Sequence, residues 1–459
     1  MTMTLPQSEE TRPTETETRD GARLLTDQEA FVAALPAGEP ARLRELRTRA
    51  RDRFAELGYP TTQHEEWRFT NLNPLAKAGF ALAPESDLVT AGDLTKYAYE
   101  KTARLVFVNG RFSSALSEIG ELPAGAIVTG LRDALAQHPD KVEPFLGQFA
   151  RFEEHAFVAL NTAFLDDGLF VYVPRGVVIE RPINVVYLGA PEGDGTPGAC
   201  FPRNLIVADE NSQATVVEQY GTIGEGRFFT CPVTEVVAEP SAVIDHYKLQ
   251  RESHDAFHMA TLQIQQDRAS NFASHSISWG GGIVRNDVNA VLAGEGADAN
   301  INGLYMVEVE QLIDNHMRIE HKAPHCDSHE LFKGILEGRS RAVFSGRIYV
   351  HPGAQKTDAK QTNRNLLLSD QALCNSHPQL EIFADDVKCT HGSTVGELDE
   401  TAIFYLRSRG IGEVAARSLL TYAFAADIVR RIKVPAVRRD LEEFLFRRLP
   451  KGEIVRQAV

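Results

Sequence analysis

Two clusters in this 459-residue sequence carry side chains able to hold metal or sulfur. The first is His321, His325, Cys326 and His329, with Glu320 and Asp327 beside them. Imidazole and thiolate are ligands for zinc and iron. On a helix, spacings of four would set the three histidines on one face. Pro324 interrupts the run, however, the segment lies among strand-like stretches, and the spacing matches no closed zinc site. The alternative is a set of polar turn and strand-surface residues.

The second cluster is the run Asp385-Asp386-Val387-Lys388-Cys389-Thr390-His391-Gly392. On a strand, Val387, Cys389 and His391 project from one face, with Cys389 and His391 roughly 7 Å apart along the backbone. Cys389 would be a nucleophile or ligand as the thiolate, its pKa lowered by Lys388 or by a protonated histidine nearby. Neutral His391 would be a borderline-soft ligand for iron. The alternative is a buried cysteine beside a hydrogen-bonded histidine.

Several other chemistries lack their motifs. No Gly-x-x-x-x-Gly-Lys-Ser/Thr loop is present to cradle nucleotide phosphates, and Gly280-Gly281-Gly282 is followed by no helical pattern, so it is not a dinucleotide fingerprint. There is no Gly-x-Ser-x-Gly elbow and no His-Glu-x-x-His.

The elements that must position the two clusters are legible from periodicity. Thr26-Asp27-Gln28-Glu29 has the capping-box pattern, with Thr26 as N-cap. A second helix starts near Pro40 with Leu43, Leu46, Ala50, Phe54 and Leu57 as its stripe, ended by Gly58 and Pro60. Trp67, within Glu65-Glu66-Trp67-Arg68-Phe69-Thr70, reads as a packing anchor. Leu105–Val108 reads as a strand; 131–136 and 149–164 read as helices.

From Leu169 to about His391, short β-rich runs follow one another between Gly, Asn, Asp and Pro. Many alternate by side, as in Ala342–Val350. No helical crossover of a dozen residues interrupts them, which disfavours a doubly wound sheet, and about fifteen strands is too many for one sandwich. A β-helix, stacking short strands turn upon turn, is the economical solution, although no strict repeat is visible; a large sandwich or barrel is the alternative. Helices return after Gly396, with Asp399 as a cap, a long helix from Glu413 to Ile432, and a last one from Ala436 to Leu449. The expected division is a disordered tail (1–23), a helical and mixed domain (24–165), a β-helix core (166–396) and a C-terminal helical domain (397–459).

Composition bounds the function. Lys plus Arg number 48 against 63 Asp plus Glu, a formal net charge of −15, which argues against nucleic acid and anionic membrane surfaces as partners. Five cysteines, sparse and odd in number, suit free thiols in a reducing, cytoplasmic setting better than a disulfide framework. The N-terminus has no apolar signal-like stretch, and no run approaches a membrane span.

The segments Ser328–Leu336, Gly338–Val350, Ala354–Ala359, Gln361–Leu368, Pro378–Gly392, Thr394–Gly396 and Phe404–Ile411, with Glu65–Thr70 upstream, resemble the SufB/SufD family of iron–sulfur cluster assembly proteins, and within it the SufD branch. The resemblance spans most of residues 40–435. It implies a right-handed parallel β-helix flanked by helical domains, and a non-catalytic scaffold subunit. It further implies pairing with SufB, with SufC, an ABC-type ATPase, docked on the helices at about 399–449. Where SufB-type sequences carry an essential cysteine this chain has Asn363, and Cys389-Thr390-His391-Gly392 replaces their Glu-His-Glu run. The SufD histidine implicated at the SufB interface corresponds to His391, with Cys389 its motif neighbour. A nascent cluster or iron would then sit at the seam, with no cofactor held stably by this chain alone, and the isolated chain could pair with itself. Two rivals are a purely structural subunit and a β-helix polysaccharide lyase.

Overall fold

The computed structural model describes residues 15–35, 40–191, 195–224 and 226–458. Its centre is a two-sheet parallel solenoid. From Val233 onward, successive strands alternate between a 12-stranded and a 10-stranded sheet. Over this region each strand runs parallel to the strand one turn earlier in its sheet, as in Asp298–Val307, Asp327–Leu336, Asp358–Leu367 and Lys388–Gly396; among the described residues, antiparallel pairs occur only at the N-terminal end of each sheet. Parallel neighbours need a long crossover; here the crossover is a strand of the facing sheet. The sandwich and barrel alternatives are thereby excluded.

The absence of a visible repeat has a local cause. One corner of each turn needs a residue in the left-handed region, and Asn211, Ser241, Ala269, Gly296, His325 and Lys356 hold it in successive turns. Each donates its N–H to a carbonyl one turn on, as His325 does to Gln355 (2.9 Å) and Lys356 to Asp386 (2.6 Å). The geometry repeats while the residue type does not, so no glycine motif marks it.

The lumen is filled by inward residues of both sheets, among them Ile206, Val236, Ile264, Ile319, Phe332, Phe344 and Ile348. The outer faces are apolar too. N-terminal helices Ala41–Leu57 and Ala156–Ala163, with Trp67, pack on Phe201, Phe229, Met259 and Ile283. On the opposite face, helices Glu413–Val429 and Pro435–Arg448 cover Tyr247, Leu249, Ile277, Leu304 and Ile335. Strands covered on both faces are apolar at consecutive positions, whereas alternation survives where one face is wet.

Trp67 anchors the N-terminal region as expected. Its ring lies under the Arg285 guanidinium at 3.7 Å. Arg285 also bonds the Glu66 carbonyl and Asp314, Thr70 Oγ1 donates to Asp314 Oδ2 at 2.6 Å, and Phe69 stacks on His377.

Three local expectations are corrected. Thr26 is not an N-cap: the first helix runs Glu15–Ala34, so part of the expected 1–23 tail is helical, while residues 1–14 lie outside the described residues. Upstream, Arg23 donates to the Gly79 carbonyl (2.9 Å), and Asp27 accepts from the Leu82 N–H rather than supporting a cap. The helix expected over 149–164 is confined to Ala156–Ala163, because Phe149 and Ala150 donate their N–H groups to the Glu235 carboxylate. A short helix, Gly452–Ala458, follows the one expected to be last. The Asp399 cap is as expected, its carboxylate accepting from Thr401 N–H at 2.8 Å.

Candidate functional site

The C-terminal end of the solenoid is open. The last strand of each sheet, Leu373–Ile382 and Lys388–Gly396, is paired on one edge only. In Lys388–Gly396 every residue except half-buried Cys389 is exposed. Leu373, Ile382, Phe383 and Val395 are large apolar side chains left exposed here. Unpaired strand edges with apolar side chains invite another chain to pair.

Register decides which way the final strand faces. Cys389, His391 and Ser393 lie beside Ala359, Gln361 and Asn363, all three buried in the lumen. Residues in register share a face, so Cys389 and His391 look into the mouth of the solenoid. The strand periodicity that put them on one face is thus correct. Lys388 belongs to the opposite face and does not lower the Cys389 pKa. Burial pushes that thiol up, aided by Asp358, the opposite direction to the lowering that its sequence neighbours suggest.

Behind the mouth, Asn363 is a satisfied lumen amide. It donates to the Tyr305 hydroxyl (3.2 Å) and accepts from Asn365 (2.6 Å) and from Ser376 of the facing strand (3.0 Å). Ser393 donates to Ser376 at 2.8 Å, closing the two last strands on each other. Cys374 also faces the lumen, beside Ala342, and burial pushes its thiol up to about 12.

The first cluster does not converge. His321 and Cys326 point inward: His321 Nε2 shares a hydrogen bond with Ser328 Oγ (2.8 Å), and Cys326 Sγ donates to the Gly294 carbonyl (3.3 Å). Burial depresses His321 to about 4. His325 occupies the left-handed corner position, and His329 lies 3.9 Å from Asp358. The expected four-residue metal site is absent because a corner and a strand face divide these side chains between inside and outside. Among the described residues, no group of three or more His, Cys, Asp or Glu side chains is placed to hold a metal ion. The mouth therefore offers two candidate ligands, Cys389 and His391, and a cluster or iron ion there would need the rest from elsewhere.

Two further residues of this site escape a sequence reading. Glu330 and Gln361 stand in one row with His391, each one turn from the next. Gln361 Nε2 lies 3.2 Å from both Glu330 oxygens. The alternating pattern marks both as polar residues at inward positions, but only the register joins them to His391. Burial, incompletely offset by Gln361, raises the Glu330 carboxyl from 4.5 to about 8. With the folded pKa above the unfolded one, the folded chain holds the extra proton between about pH 4.5 and 8, so stability falls as pH rises through that window. Glu330→Gln is expected to flatten this slope and to stabilise the protein at pH 8 by a few kcal/mol, on the order of the shift it removes. Urea unfolding of both proteins at pH 5.5 and 8 checks this; parallel pH profiles would refute it.

Comparison with known proteins bears on the same region. The family profile described as "SUF system FeS cluster assembly, SufBD core domain" matches residues 191–424, and "SufBD protein N-terminal region" matches residues 24–185. An iron–sulfur cluster assembly SufBD family protein of Synechocystis sp. is 33% identical over 420 residues, covering 90% of this chain and 92% of its own. The iron–sulfur cluster assembly protein SufD of Escherichia coli is 31% identical, covering 86% and 90%. That of Bacillus subtilis is 29% identical, covering 94% and 99%.

Proposed function

The chain belongs to the SufBD family of iron–sulfur cluster assembly proteins and is of the SufD type, and from that premise we propose that it is the subunit that completes a cluster-assembly site by pairing its open solenoid end with SufB. The observation that carries this reading is the mouth itself: Cys389 and His391 face into it from a strand whose outer edge is unpaired. A thiolate and an imidazole suit iron and sulfide as cargo. Two ligands are half of an ordinary four-ligand set, so the partner supplies the remainder, including the sulfur-carrying cysteine that Asn363 replaces here. Pairing strand edge to strand edge would bury Leu373, Ile382, Phe383 and Val395 together with the free N–H and C=O groups. The same edges would let the chain pair with a second copy of itself when SufB is absent.

The chain acts as a scaffold rather than an enzyme, with ATP hydrolysed by SufC in trans. Phe404, Tyr405 and Val414, exposed on the C-terminal helices, are the apolar groups for docking it. The proposed setting of the assembly is the cytoplasm, where free thiols stay reduced. For Cys389 a packing role is the second reading, favoured by its contact with the lumen core and its raised thiol pKa.

The test is to co-express the chain with SufB and SufC, purify the complex, and reconstitute it anaerobically while following visible absorption. Co-elution of all three and growth of sulfide-to-iron charge-transfer bands are expected. A chain that elutes apart from SufB at micromolar concentration would overturn the reading.

A further inference from the structure

We propose that Gln361 is the positioning residue for His391: its side-chain carbonyl accepts one imidazole N–H, so that the other ring nitrogen is presented to the mouth as a lone pair. The inference rests on the reading of the mouth as the site where cargo binds.

The geometry begins with the row Glu330, Gln361, His391 along the lumen. Gln361 is 1% exposed and Glu330 3%. The amide is held at both ends of its approach. Nε2 donates to the Glu330 carboxyl, one turn inward. Across the lumen the amide lies against the bare Cα of Gly346, where a Cβ would come within 2.2 Å of Nε2 and 2.6 Å of Oε1. Glycine is therefore required at 346 for this side chain to lie where it does.

The other end of the amide is an orphan. Gln361 Oε1 is buried and accepts no hydrogen bond. Buried acceptors without a donor are uncommon and ask for an explanation. With Nε2 turned toward the inner turn, Oε1, diverging from the same carbon by about 120° as in any planar amide, is turned away from it. On the facing strands the inward Phe344, Gly346, Ile348 and Pro378 have no side-chain donor, and Ser376 gives its hydroxyl proton to Asn363. Asn363 already donates to Tyr305. The next residue in the row is His391, which has an N–H to give and is exposed in the free chain.

Metal-binding histidines commonly donate their second ring N–H to a carbonyl or carboxylate, which sets the tautomer and the ring direction. Glu330, Gln361 and His391 would form such a chain. His391 swings onto Oε1 when its other nitrogen takes a ligand, and the orphan acceptor is satisfied in the same step.

The test uses the chain co-purified with SufB, in which the ligands from both sides of the seam are present, with Zn(II) alone as probe and ¹⁵N-labelled histidine in this chain. Wild type, His391→Ala, Gln361→Met and Gly346→Ala are compared. Gln361→Met keeps the volume and removes the acceptor. Gly346→Ala keeps Gln361 and displaces its amide, and it carries the test should Gln361→Met fail to fold. The expected result is His391-dependent Zn(II) binding that weakens ten- to a hundredfold in both Gln361→Met and Gly346→Ala. A slowly exchanging His391 ring N–H signal should appear in Zn(II)-loaded wild type and be lost in both variants. His391-dependent binding with affinity and ring signal unchanged in the variants overturns the role of Gln361 alone. Zn(II) binding that is absent, or equal in wild type and His391→Ala, overturns the reading of the mouth and this inference with it.

Discussion

Replacing His391 with Ala is expected to leave the fold intact and to cut cluster build-up on the reconstituted complex at least tenfold. The first half follows from position. His391 is exposed on a strand with one free edge, so truncation removes little packing, and surface substitutions of that kind stay within about 0.5 kcal/mol. The second half follows from ligand count. With no third metal-binding side chain grouped with Cys389 and His391 among the described residues, losing the imidazole leaves one candidate ligand on this side of the seam. Visible absorption with iron and sulfide content reads the cluster, and thermal unfolding reads the fold. A normal cluster yield with the variant would remove His391 from the site.

The second large effect concerns stability. Arg203 and Glu235 form an ion pair with both side chains 0% exposed, at 2.7 Å. Glu235 also accepts N–H groups from Gly147, Phe149 and Ala150 at 2.9–3.0 Å. Arg203 reaches Asn161 and Thr162 as well. The pair thus ties two elements to the solenoid, the 147–150 segment through Glu235 and the Ala156–Ala163 helix through Arg203. Glu235→Ala would strand a buried guanidinium and three amide donors, and breaking a buried pair from one side costs about 3–5 kcal/mol. The midpoint of urea unfolding should fall accordingly, whereas Glu235→Gln, which keeps an acceptor, should lose less. A loss below about 1 kcal/mol for Glu235→Ala would mean that water reaches the guanidinium, contrary to its burial.

The two candidate clusters fared differently for one physical reason. Cys389 and His391 are two residues apart on one strand, and period two fixes their common face without reference to anything else. His321, His325, Cys326 and His329 straddle a corner, and which way each points depends on where the corner falls. That corner is set by His325, whose backbone adopts the left-handed region, a conformation that nothing in the identity of a histidine announces. The same blindness hid the solenoid repeat, whose corner residue changes type from turn to turn.

Electrostatics was the other gap. Lys388 adjoins Cys389 in sequence yet stands on the other face of the strand. What governs the thiol is burial against the lumen, a property of packing rather than of neighbours in the chain. Likewise, the 149–155 stretch has a helical pattern, but Phe149 and Ala150 at its start spend their amide groups on Glu235, a residue some 85 positions away.

The family, the mainly β core between helical regions and the common face of Cys389 and His391 were determined by the sequence alone, because each depends on short-range pattern or on motif identity. The register was decided only by the tertiary structure. It depends on how much chain each turn spends on its corners, and it brings Glu330, Gln361 and His391, about 30 residues apart, into one row. That row, the notch at Gly346 and the unpaired carbonyl beside it exist only once the turns are stacked.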